Sequence, residues 1–345
     1  MTHARIVKQI PPRFSLDVEF PLAPGVTALY GPAGAGKTLI LETIAGFVRP
    51  DSGRILLDDV ILFDGQSRVD VAPRRRSCGY IARHDALFPH MTLRQNLVFP
   101  AKRFPRLERH RRVAETIERF QLADSAALRP HEAGPAERLR CAVARALIAL
   151  PKLLLIDAIA ERPFDAPLFQ QVRAAFAGPI LLVTADLDLC CAAADEVILL
   201  EAGRIVQRGA PRAVLDRPAS VEIARLLGIP NLFQGTIAAL DPARDSSRVD
   251  FGPFALSGPY IPGHFRGDSV RVAVHAEDLR VHSGDLESQP NFVSAQLVGV
   301  SHRARFVRLE FSGGIFADVS REEFARQKEN KQWQVEFPPG ALHVL

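Results

Sequence analysis

The sequence has few cysteines and no long apolar segment. Four cysteines occur in 345 residues, and their spacing matches neither a metal site nor a disulfide framework, so we expect buried free thiols at Cys78, Cys141, Cys190 and Cys191. No run of roughly 18 or more apolar residues is present, so no segment is expected to span a membrane as a helix. The N-terminus also lacks the apolar core of a signal peptide.

A strong charge of one sign is absent as well. The formal net charge is +4, and no basic stripe is interleaved with aromatic residues, so we expect no nucleic-acid partner. The arginine-rich stretch from Lys102 to Arg112 is interpreted as the solvated face of a helix, with a binding patch as the alternative. Otherwise the composition, 47% apolar and 24% charged, is that of an ordinary globular protein.

The pattern of apolar residues changes near Pro230. Before it, short apolar strands such as Val26 to Tyr30 alternate with helical stretches such as Thr38 to Phe47. This alternation predicts an α/β domain, residues 1–230, with a largely parallel sheet covered by helices. After it, short alternating segments punctuated by glycine and proline predict a small all-β barrel, residues 231–345.

The most specific motif is G-x-x-x-x-G-K-[ST], which lies between a predicted strand and a predicted helix. Its glycines let backbone N–H groups surround phosphates, and the helix N-terminus attracts anions. Lys37 is expected to reach the β- and γ-phosphates, and Thr38 to ligate Mg²⁺. The motif predicts a P-loop NTPase with ATP and Mg²⁺ as cofactors and with the nucleotide-binding residues Gly31, Pro32, Ala33, Gly34, Ala35, Gly36, Lys37 and Thr38.

A second motif supports the first. The apolar stretch Leu153 to Ile156 reads as a buried strand, and Asp157 follows at its end. A carboxylate in this place lies beside the phosphate loop and holds the Mg²⁺ shell. We therefore predict Thr38 and Asp157 as the metal-binding residues.

With both nucleotide motifs placed, the chain resembles the ATP-binding subunits of ABC transporters, and among them the molybdate and sulfate importers. The resemblance implies an ABC ATPase-type fold for the first domain and a transport-associated OB-like β-barrel for the second. It is carried by the segments VTALYGPAGAGKTLILETIAGFVRPDSGRILLDD, DALFPHMTLRQNLVFP, VILLEAGRIVQRGAP, VRVAVHAEDLRV and WQVEFPPGALHVL.

Four departures from the family pattern concern hydrolysis. Where the family has a loop glutamine, this sequence has Arg83, and where it has the signature L-S-G-G-Q, residues 133–137 read Ala-Gly-Pro-Ala-Glu. The catalytic glutamate is replaced by Ala158 and the switch histidine by Ala185. Because alanine can neither accept a proton nor donate a hydrogen bond, we predict weak or absent hydrolysis and assign no catalytic residue.

Alternatives remain for several positions. Glu161 or Asp165 could replace the missing base, which would make the chain an active ATPase with relocated residues. His84 and His90 are interpreted as surface or docking residues rather than a substitute switch. Phe14 is the nearest candidate for an aromatic that stacks on adenine, although a core position is the more common role for phenylalanine.

The resemblance implies a function and partners. It implies the ATP-binding subunit of an importer, for an oxyanion such as molybdate, that works with a membrane-spanning permease as a homodimer or heterodimer of nucleotide-binding subunits. The location implied is the cytoplasm, peripheral on the inner face of the cell membrane. The alternative from another class is a non-transport regulatory or scaffold protein that senses ATP.

Overall fold

The computed structural model describes residues 2–12, 14–84, 86–157, 166–283, 290–327 and 333–345. The chain folds into two compact units, residues 1–214 and 215–345. Each unit has its own arrangement of strands and its own apolar core. Among the described residues, no helix has both the length and the apolar character needed to cross a membrane.

The N-terminal unit combines eleven described strands with helices. Its strands are β1 (His3–Ile10), β2 (Phe14–Pro21), β3 (Gly25–Tyr30), β4 (Ser52–Leu57), β5 (Val60–Asp64), β6 (Val69–Asp70), β7 (Cys78–Ile81), β8 (Leu153–Asp157), β9 (Pro179–Val183), β10 (Glu196–Glu201) and β11 (Arg204–Gly209). Its helices are α1 (Lys37–Ala45), α2 (Leu93–Ala101), α3 (Arg106–Arg119), α4 (Pro135–Ile148), α5 (Ala166–Ala175) and α6 (Leu187–Ala193), with α7 (Pro211–Asp216) crossing the boundary.

The described strands of this unit form one sheet in the order β6-β5-β4-β1-β2-β11-β10-β3-β9-β8-β7. Strands β10, β3, β9, β8 and β7 pair in parallel, whereas β1, β2, β4, β5 and β6 form an antiparallel portion. Parallel strands joined through helices place their carboxyl ends along one edge, which is where such sheets bind ligands. The α/β prediction is confirmed, whereas the expected largely parallel sheet is mixed, with a parallel portion that includes β8 and an antiparallel portion that includes β1.

The parallel strands are apolar at most of their positions, because helices cover both faces of the sheet. In β8, Leu154 and Ile156 pack into one apolar cluster together with residues of α2 and α4. Leu153 and Leu155 point the other way, into the cluster that contains the apolar residues of α1. Continuous apolar strands are typical of parallel sheets buried on both faces. The helix α1 is therefore held against the sheet by buried apolar contacts.

The C-terminal unit consists mainly of antiparallel strands. Its described helices are α8 (Val221–Leu226) and α9 (Arg321–Gln327). Its strands are β12 (Asn231–Asp241), β13 (Ser246–Asp250), β14 (Ala255–Gly258), β15 (Ser269–Val274), β16 (Arg280–Ser283), β17 (Phe292–Ala295), β18 (Leu297–His302), β19 (Val307–Phe311), β20 (Ile315–Val319), β21 (Trp333–Glu336) and β22 (His343–Val344). They form sheets in the orders β14-β13-β12-β15-β22, β16-β21-β17 and β18-β19-β20. The prediction of a C-terminal β domain is confirmed, while closure into an OB-like barrel stays a prediction.

The two units meet in sequence within α7, and α8 belongs to the C-terminal unit. His275 Nε2 lies 3.1 Å from the carbonyl oxygen of Leu215, and His343 Nε2 lies 3.1 Å from that of Pro218. These contacts join the first residues of the unit to the residue that follows β15 and to β22. The boundary near Pro230, inferred from the change in pattern, stays a prediction.

The cysteines differ in exposure. Cys141 and Cys190 are buried as expected, and burial raises the pKa of the Cys190 thiol to about 12. Cys78 is partly buried and Cys191 is exposed, so the expectation of four buried thiols is wrong for these two. Cys191 follows Cys190 on the short helix α6, and adjacent helical residues face different directions.

A fully buried arginine holds the C-terminal end of α1. The guanidinium of Arg76 donates to the carbonyl oxygens of Thr43 and Ile44 at 2.8 and 2.9 Å, and to that of Val71 at 2.7 Å. It also donates to Asp70 Oδ1 at 2.9 Å. A cation at a helix C-terminus satisfies carbonyls that have no partner within the helix and is favoured by the helix dipole. Arg76 therefore stabilises α1 at the end opposite the phosphate loop.

We expect Arg76→Met to destabilise the protein by about 3–5 kcal/mol, because three main-chain carbonyl oxygens lose their donor and each unsatisfied buried acceptor costs about 1–3 kcal/mol. The matched control is Arg75→Met on the same turn, whose exposed side chain predicts a change within about 0.5 kcal/mol. Unfolding in urea, followed by circular dichroism, measures both. Equal losses in the two variants would contradict the role assigned to Arg76.

Candidate functional site

The phosphate loop connects the end of β3 to the start of α1, and glycine is required at two of its positions. A Cβ at Gly31 would overlap the carbonyl oxygen of Leu200 in β10. Gly36 has a φ of 101° and precedes Lys37, the first residue of α1, and a Cβ there would lie 2.9 Å from Phe14 Cζ. Only glycine adopts such a φ without steric cost. The first and last glycines of the motif thus lie where the backbone packs closely against Leu200 and Phe14.

The middle of the loop is anchored by its own backbone and by the β10–β11 hairpin. The Ala35 N–H donates to the carbonyl oxygen of Pro32 at 3.2 Å, and the Gly203 N–H donates to the carbonyl oxygen of Ala35 at 3.2 Å. The Ala35 side chain is buried, whereas a Cβ at Gly34 would meet no atom within 4 Å. The loop is therefore fixed on one side and open at Gly34.

The Lys37 side chain turns back over the loop. Its Nζ donates to the carbonyl oxygens of Gly31 at 2.7 Å and Pro32 at 2.8 Å. Burial lowers the pKa of Lys37, and the negative charge of Asp157 acts in the opposite direction. The ammonium group therefore lies inside the loop, where it can pair with a phosphate.

Thr38 and Asp157 come together from α1 and β8. The Thr38 hydroxyl donates to Asp157 Oδ2 at 2.9 Å, while the buried Asp157 Oδ1 has no hydrogen-bond partner among the described residues. Burial raises the pKa of Asp157, and the Thr38 hydrogen bond and the charges of Arg83 and Lys37 act to lower it. A hydroxyl and a carboxylate with an unsatisfied oxygen fit the oxygen ligands that Mg²⁺ prefers. The two predicted metal-binding residues therefore lie together.

Arg83 lies close to this carboxylate. It follows β7 by two residues, and β7 pairs with β8 in a register that places Ile81 opposite Ile156, one residue before Asp157. The side chain of Arg83 is exposed, and its charge contributes to lowering the pKa of Asp157. The structure thus places a cation beside the predicted metal site.

Ala185 lies at the same edge of the sheet. It follows β9 by two residues, and β9 pairs with β8 so that Val183 is opposite Asp157. The neighbouring polar groups contact each other, since the Asp186 N–H donates to Thr184 Oγ1 at 3.0 Å and Asp186 Oδ1 accepts from the Leu189 N–H at 3.1 Å. The methyl group of Ala185 is exposed and offers no hydrogen bond. The other positions weighed for hydrolysis, Ala158, Glu161 and Asp165, lie outside the described residues.

The signature-like segment, residues 133–137, forms the start of α4. Gly134 is the N-cap residue and Pro135 the first residue of the helix. The Glu137 carboxylate folds back over Gly134, so that a Cβ at Gly134 would overlap Glu137 Oε2. A carboxylate at a helix N-terminus stabilises the helix. The N-terminus of α4 is therefore occupied by the carboxylate of Glu137, a residue of the same helix.

The other residues considered from the sequence, Phe14, His84 and His90, differ in how exposed their side chains are. Phe14 is half-buried, and its ring packs beside Gly36 and against the apolar cluster around α1. His84 and His90 are exposed, and the ring of His90 lies 6.1 Å from that of Phe88.

Sequence reasoning missed the anchors of the loop. Leu200 and Gly203 act through backbone atoms, so their side chains give no signal for this role. A turn glycine after an apolar strand is the one hint that Gly203 offered. Arg76 was also missed, because nothing in the sequence distinguishes it from its neighbours Arg74 and Arg75.

Comparison with known proteins identifies the family. The model of the family described as ABC transporter matches residues 16–160. The molybdenum import ATP-binding protein ModC of Rhodospirillum rubrum is 34% identical over 295 residues, which cover 81% of this chain and 76% of that protein. The chain belongs to the ABC transporter family of ATP-binding proteins.

Other members of the ABC transporter family show similar identity. The molybdate/tungstate import ATP-binding protein WtpC of Pyrococcus horikoshii is 31% identical, covering 92% of this chain and 91% of that protein. The spermidine/putrescine import ATP-binding protein PotA of Vibrio cholerae is 33% identical, covering 73% of this chain and 67% of that protein. A solved structure of an ATP-binding subunit of an ABC transporter superposes with a TM-score of 0.54 at 22% identity, covering 66% of this chain and 99% of that one. The structural match shows the P-loop fold of the ABC ATPases.

Lys37→Ala is expected to weaken ATP binding on the order of 10- to 100-fold, because a charge-assisted hydrogen bond contributes about 1.5–3 kcal/mol. Lys152→Ala is the matched control, since it removes an exposed lysine just before β8, at the other end of this strand from Asp157. Titration calorimetry measures the dissociation constant of each variant. Unchanged affinity in Lys37→Ala would refute the assignment of the phosphate loop.

Arg83→Gln tests the cation beside the metal site. Removing a positive charge near Asp157 is expected to raise the affinity of the ATP-bound chain for Mg²⁺ about fivefold, from a charge interaction on the order of 1 kcal/mol. The control, Arg94→Gln, removes an exposed arginine on α2. Mg²⁺ titration monitored with a fluorescent ATP analogue measures both variants. A Mg²⁺ affinity that is unchanged or reduced in Arg83→Gln would contradict this role.

Proposed function

We propose that the chain is the ATP-binding subunit of an ABC importer in which ATP acts mainly by binding, with slow hydrolysis. This proposal rests on a contrast between the residues that bind nucleotide and those that would hydrolyse it. The phosphate loop, Lys37 and the Thr38–Asp157 pair are in contact as nucleotide binding requires. Ala185, at the same edge of the sheet, has no group that can act on the γ-phosphate. In this proposal Thr38 and Asp157 hold Mg²⁺, which neutralises the charge on the phosphates of ATP.

The proposed cargo is an oxyanion such as molybdate. Support comes from the relatives named for molybdenum and molybdate/tungstate import, one of which aligns over 92% of this chain. The relative named for spermidine/putrescine import is 33% identical, so identity alone does not select the cargo. It aligns over less of this chain, 73%, than either molybdate-related protein.

The proposed partners follow from the family. We propose that the chain pairs with a second nucleotide-binding subunit and with a membrane-spanning permease, and that it lies on the cytoplasmic face of the membrane. Each nucleotide site of such a pair combines the phosphate loop of one subunit with the signature segment of the other. Whether the second subunit is a copy of this chain or a different one decides which sites can hydrolyse ATP.

Hydrolysis is proposed to be slow for two reasons. Positioned acid–base assistance contributes roughly 10²–10⁴-fold to a reaction rate, and alanine at positions 158 and 185 cannot supply it. In addition, Pro135 has no backbone N–H, and the Glu137 carboxylate lies over Gly134 at the start of α4. A γ-phosphate brought to this helix by a second subunit would meet a negative charge instead of free N–H donors.

The test restores the missing groups. Ala158→Glu combined with Ala185→His is expected to raise ATP turnover at least tenfold, because the phosphate loop and the Mg²⁺ residues are already in place. The matched control is Ala158→Gln with Ala185→Asn, which has side chains of similar size but no general base. Turnover of the purified chain is measured with and without its permease.

Several ATP molecules hydrolysed per second by the wild-type chain would refute slow hydrolysis and favour relocated catalytic residues. Equal turnover in the restored variant and its control would show that the missing groups do not limit the reaction. In that case the segment 133–137 would be the limiting defect.

A further inference from the structure

The surface where α2 meets α3 carries a cluster of cations around an exposed leucine. We call this surface the basic corner and define it by Lys102, Arg103, Arg106, Leu107 and Arg111. All five side chains are exposed or nearly so, and Leu107 is 84% exposed. The sequence between residues 102 and 112 contains six lysines or arginines and a single acidic residue, Glu108.

The contacts of the acidic residue leave the positive charge facing outward. Glu108 Oε1 lies 2.8 Å from the guanidinium of Arg112, which neutralises it. That guanidinium also lies 4.4 Å from the centre of the Phe104 ring, and Arg109 donates to the carbonyl oxygen of Phe104 at 3.2 Å. Arg109 and Arg112 are therefore engaged with the protein. Lys102, Arg103, Arg106 and Arg111 remain as the cations of the outer surface.

Two of these four cations have contacts that leave their charge at the surface. Arg103 donates to the carbonyl oxygen of Ala149 at 2.9 Å, which is a neutral acceptor. Arg111 lies 3.7 Å from Glu115, and both side chains of this pair are more than half exposed. Exposed pairs one helical turn apart contribute little and are screened by salt. Both guanidinium groups can therefore still pair with an external anion.

One of these charges, on Arg106, lies in the first turn of α3 and opposes the local helix dipole. Helix α3 begins at Arg106, its N-cap residue is Pro105, and no side chain caps the helix. Anions are favourable at a helix N-terminus and cations are unfavourable there, by about 0.3–1 kcal/mol each. A local choice that conflicts with stability commonly marks a functional surface. Anionic groups placed against this corner would remove the conflict.

The leucine distinguishes this corner from a surface that is merely solvated. Leu107, between Arg106 and Glu108, is 84% exposed, the largest exposed fraction of any large apolar side chain that the structure describes. A second apolar side chain lies nearby, because Phe99 is 47% exposed and its ring centre is 5.6 Å from Lys102 Nζ. Cations that surround exposed apolar side chains are the pattern by which proteins bind the interface of an anionic bilayer.

We propose that the basic corner binds the anionic surface of a lipid bilayer. Lys102, Arg103, Arg106 and Arg111 pair with lipid phosphates, and Leu107 inserts among the acyl chains near the headgroups. The inference deepens the proposed function, on which it rests for the presence of a membrane beside the protein. It adds a direct contact with lipid to the contact with a permease, and it requires neither ATP nor the permease.

The experiment is co-sedimentation of the full chain with vesicles. One set is phosphatidylcholine alone, and the other contains about one third phosphatidylglycerol. We expect binding to the anionic vesicles only, and loss of that binding at high salt, where charges are screened within a few ångströms. Each cation near such a surface contributes roughly fivefold to the affinity, so Lys102→Gln, Arg106→Gln and Arg111→Gln together should weaken binding on the order of 100-fold.

Two matched controls accompany these variants. Arg68→Gln, Arg74→Gln and Arg75→Gln together remove the same charge from positions elsewhere on the surface of the N-terminal unit, and should weaken binding much less. Leu107→Ser should weaken binding severalfold at constant charge, whereas Val298→Ser, at a residue 67% exposed, should leave it unchanged. ATP affinity is measured for every variant and should stay at the wild-type value, which shows that each one is folded.

Several results would overturn the inference. Equal sedimentation with neutral and anionic vesicles would do so, as would equal losses in the two triple variants. Binding that does not depend on Leu107 would reduce the corner to non-specific attraction between charges. Absence of vesicle binding, with loss of permease association in the corner variant, would assign the surface to a protein partner. None of these results bears on nucleotide binding or hydrolysis, so a failure of the basic corner to bind lipid is distinguishable from a failure of the proposed function, which ATP affinity and turnover test separately.

Discussion

The close approach of Gly31 to the carbonyl oxygen of Leu200 is the constraint on which the nucleotide site depends. It fixes where the chain leaves β3, and therefore where α1 begins. From that start, Lys37 reaches back to two carbonyl oxygens of the loop, and Thr38 reaches Asp157 on β8. A side chain at position 31 would push the loop away from β10 and separate these groups. The binding chemistry thus follows from the packing of main chain against main chain.

Much of this site could be predicted because its signals are local. The loop is a continuous motif, and Asp157 directly follows a run of apolar residues, so strand and carboxylate are visible together. The position of Arg83 beside Asp157 could not be predicted in the same way, since it depends on β7 being the neighbour of β8 and on their register. The return of Glu137 over Gly134 depends on a rotamer, which no sequence pattern specifies.

The layered arrangement of helices and sheet could be predicted from the sequence, whereas the boundary between the two units was harder to predict. Apolar strands without alternation indicated a sheet buried on both faces, and β8 has this character, with neighbouring residues in opposite clusters. The end of the first unit was harder to locate, because α8 is a helix and continues the pattern of the α/β part of the sequence. The structure groups it with the β-rich unit. Helical periodicity alone does not tell which core a short helix joins.

The buried arginine has a consequence for how this protein tolerates mutation. Three of its four hydrogen-bond acceptors are main-chain oxygens, which every amino acid carries. Substitutions at Thr43, Ile44 and Val71 therefore leave the acceptors intact, whereas a change of the arginine removes all the donors at once. Gly46 must also be kept, because a Cβ there would lie 2.5 Å from Arg76 Nε and would displace the guanidinium. Sequences that diverge freely around the end of α1 can thus keep the same anchor, provided that these two positions do not change.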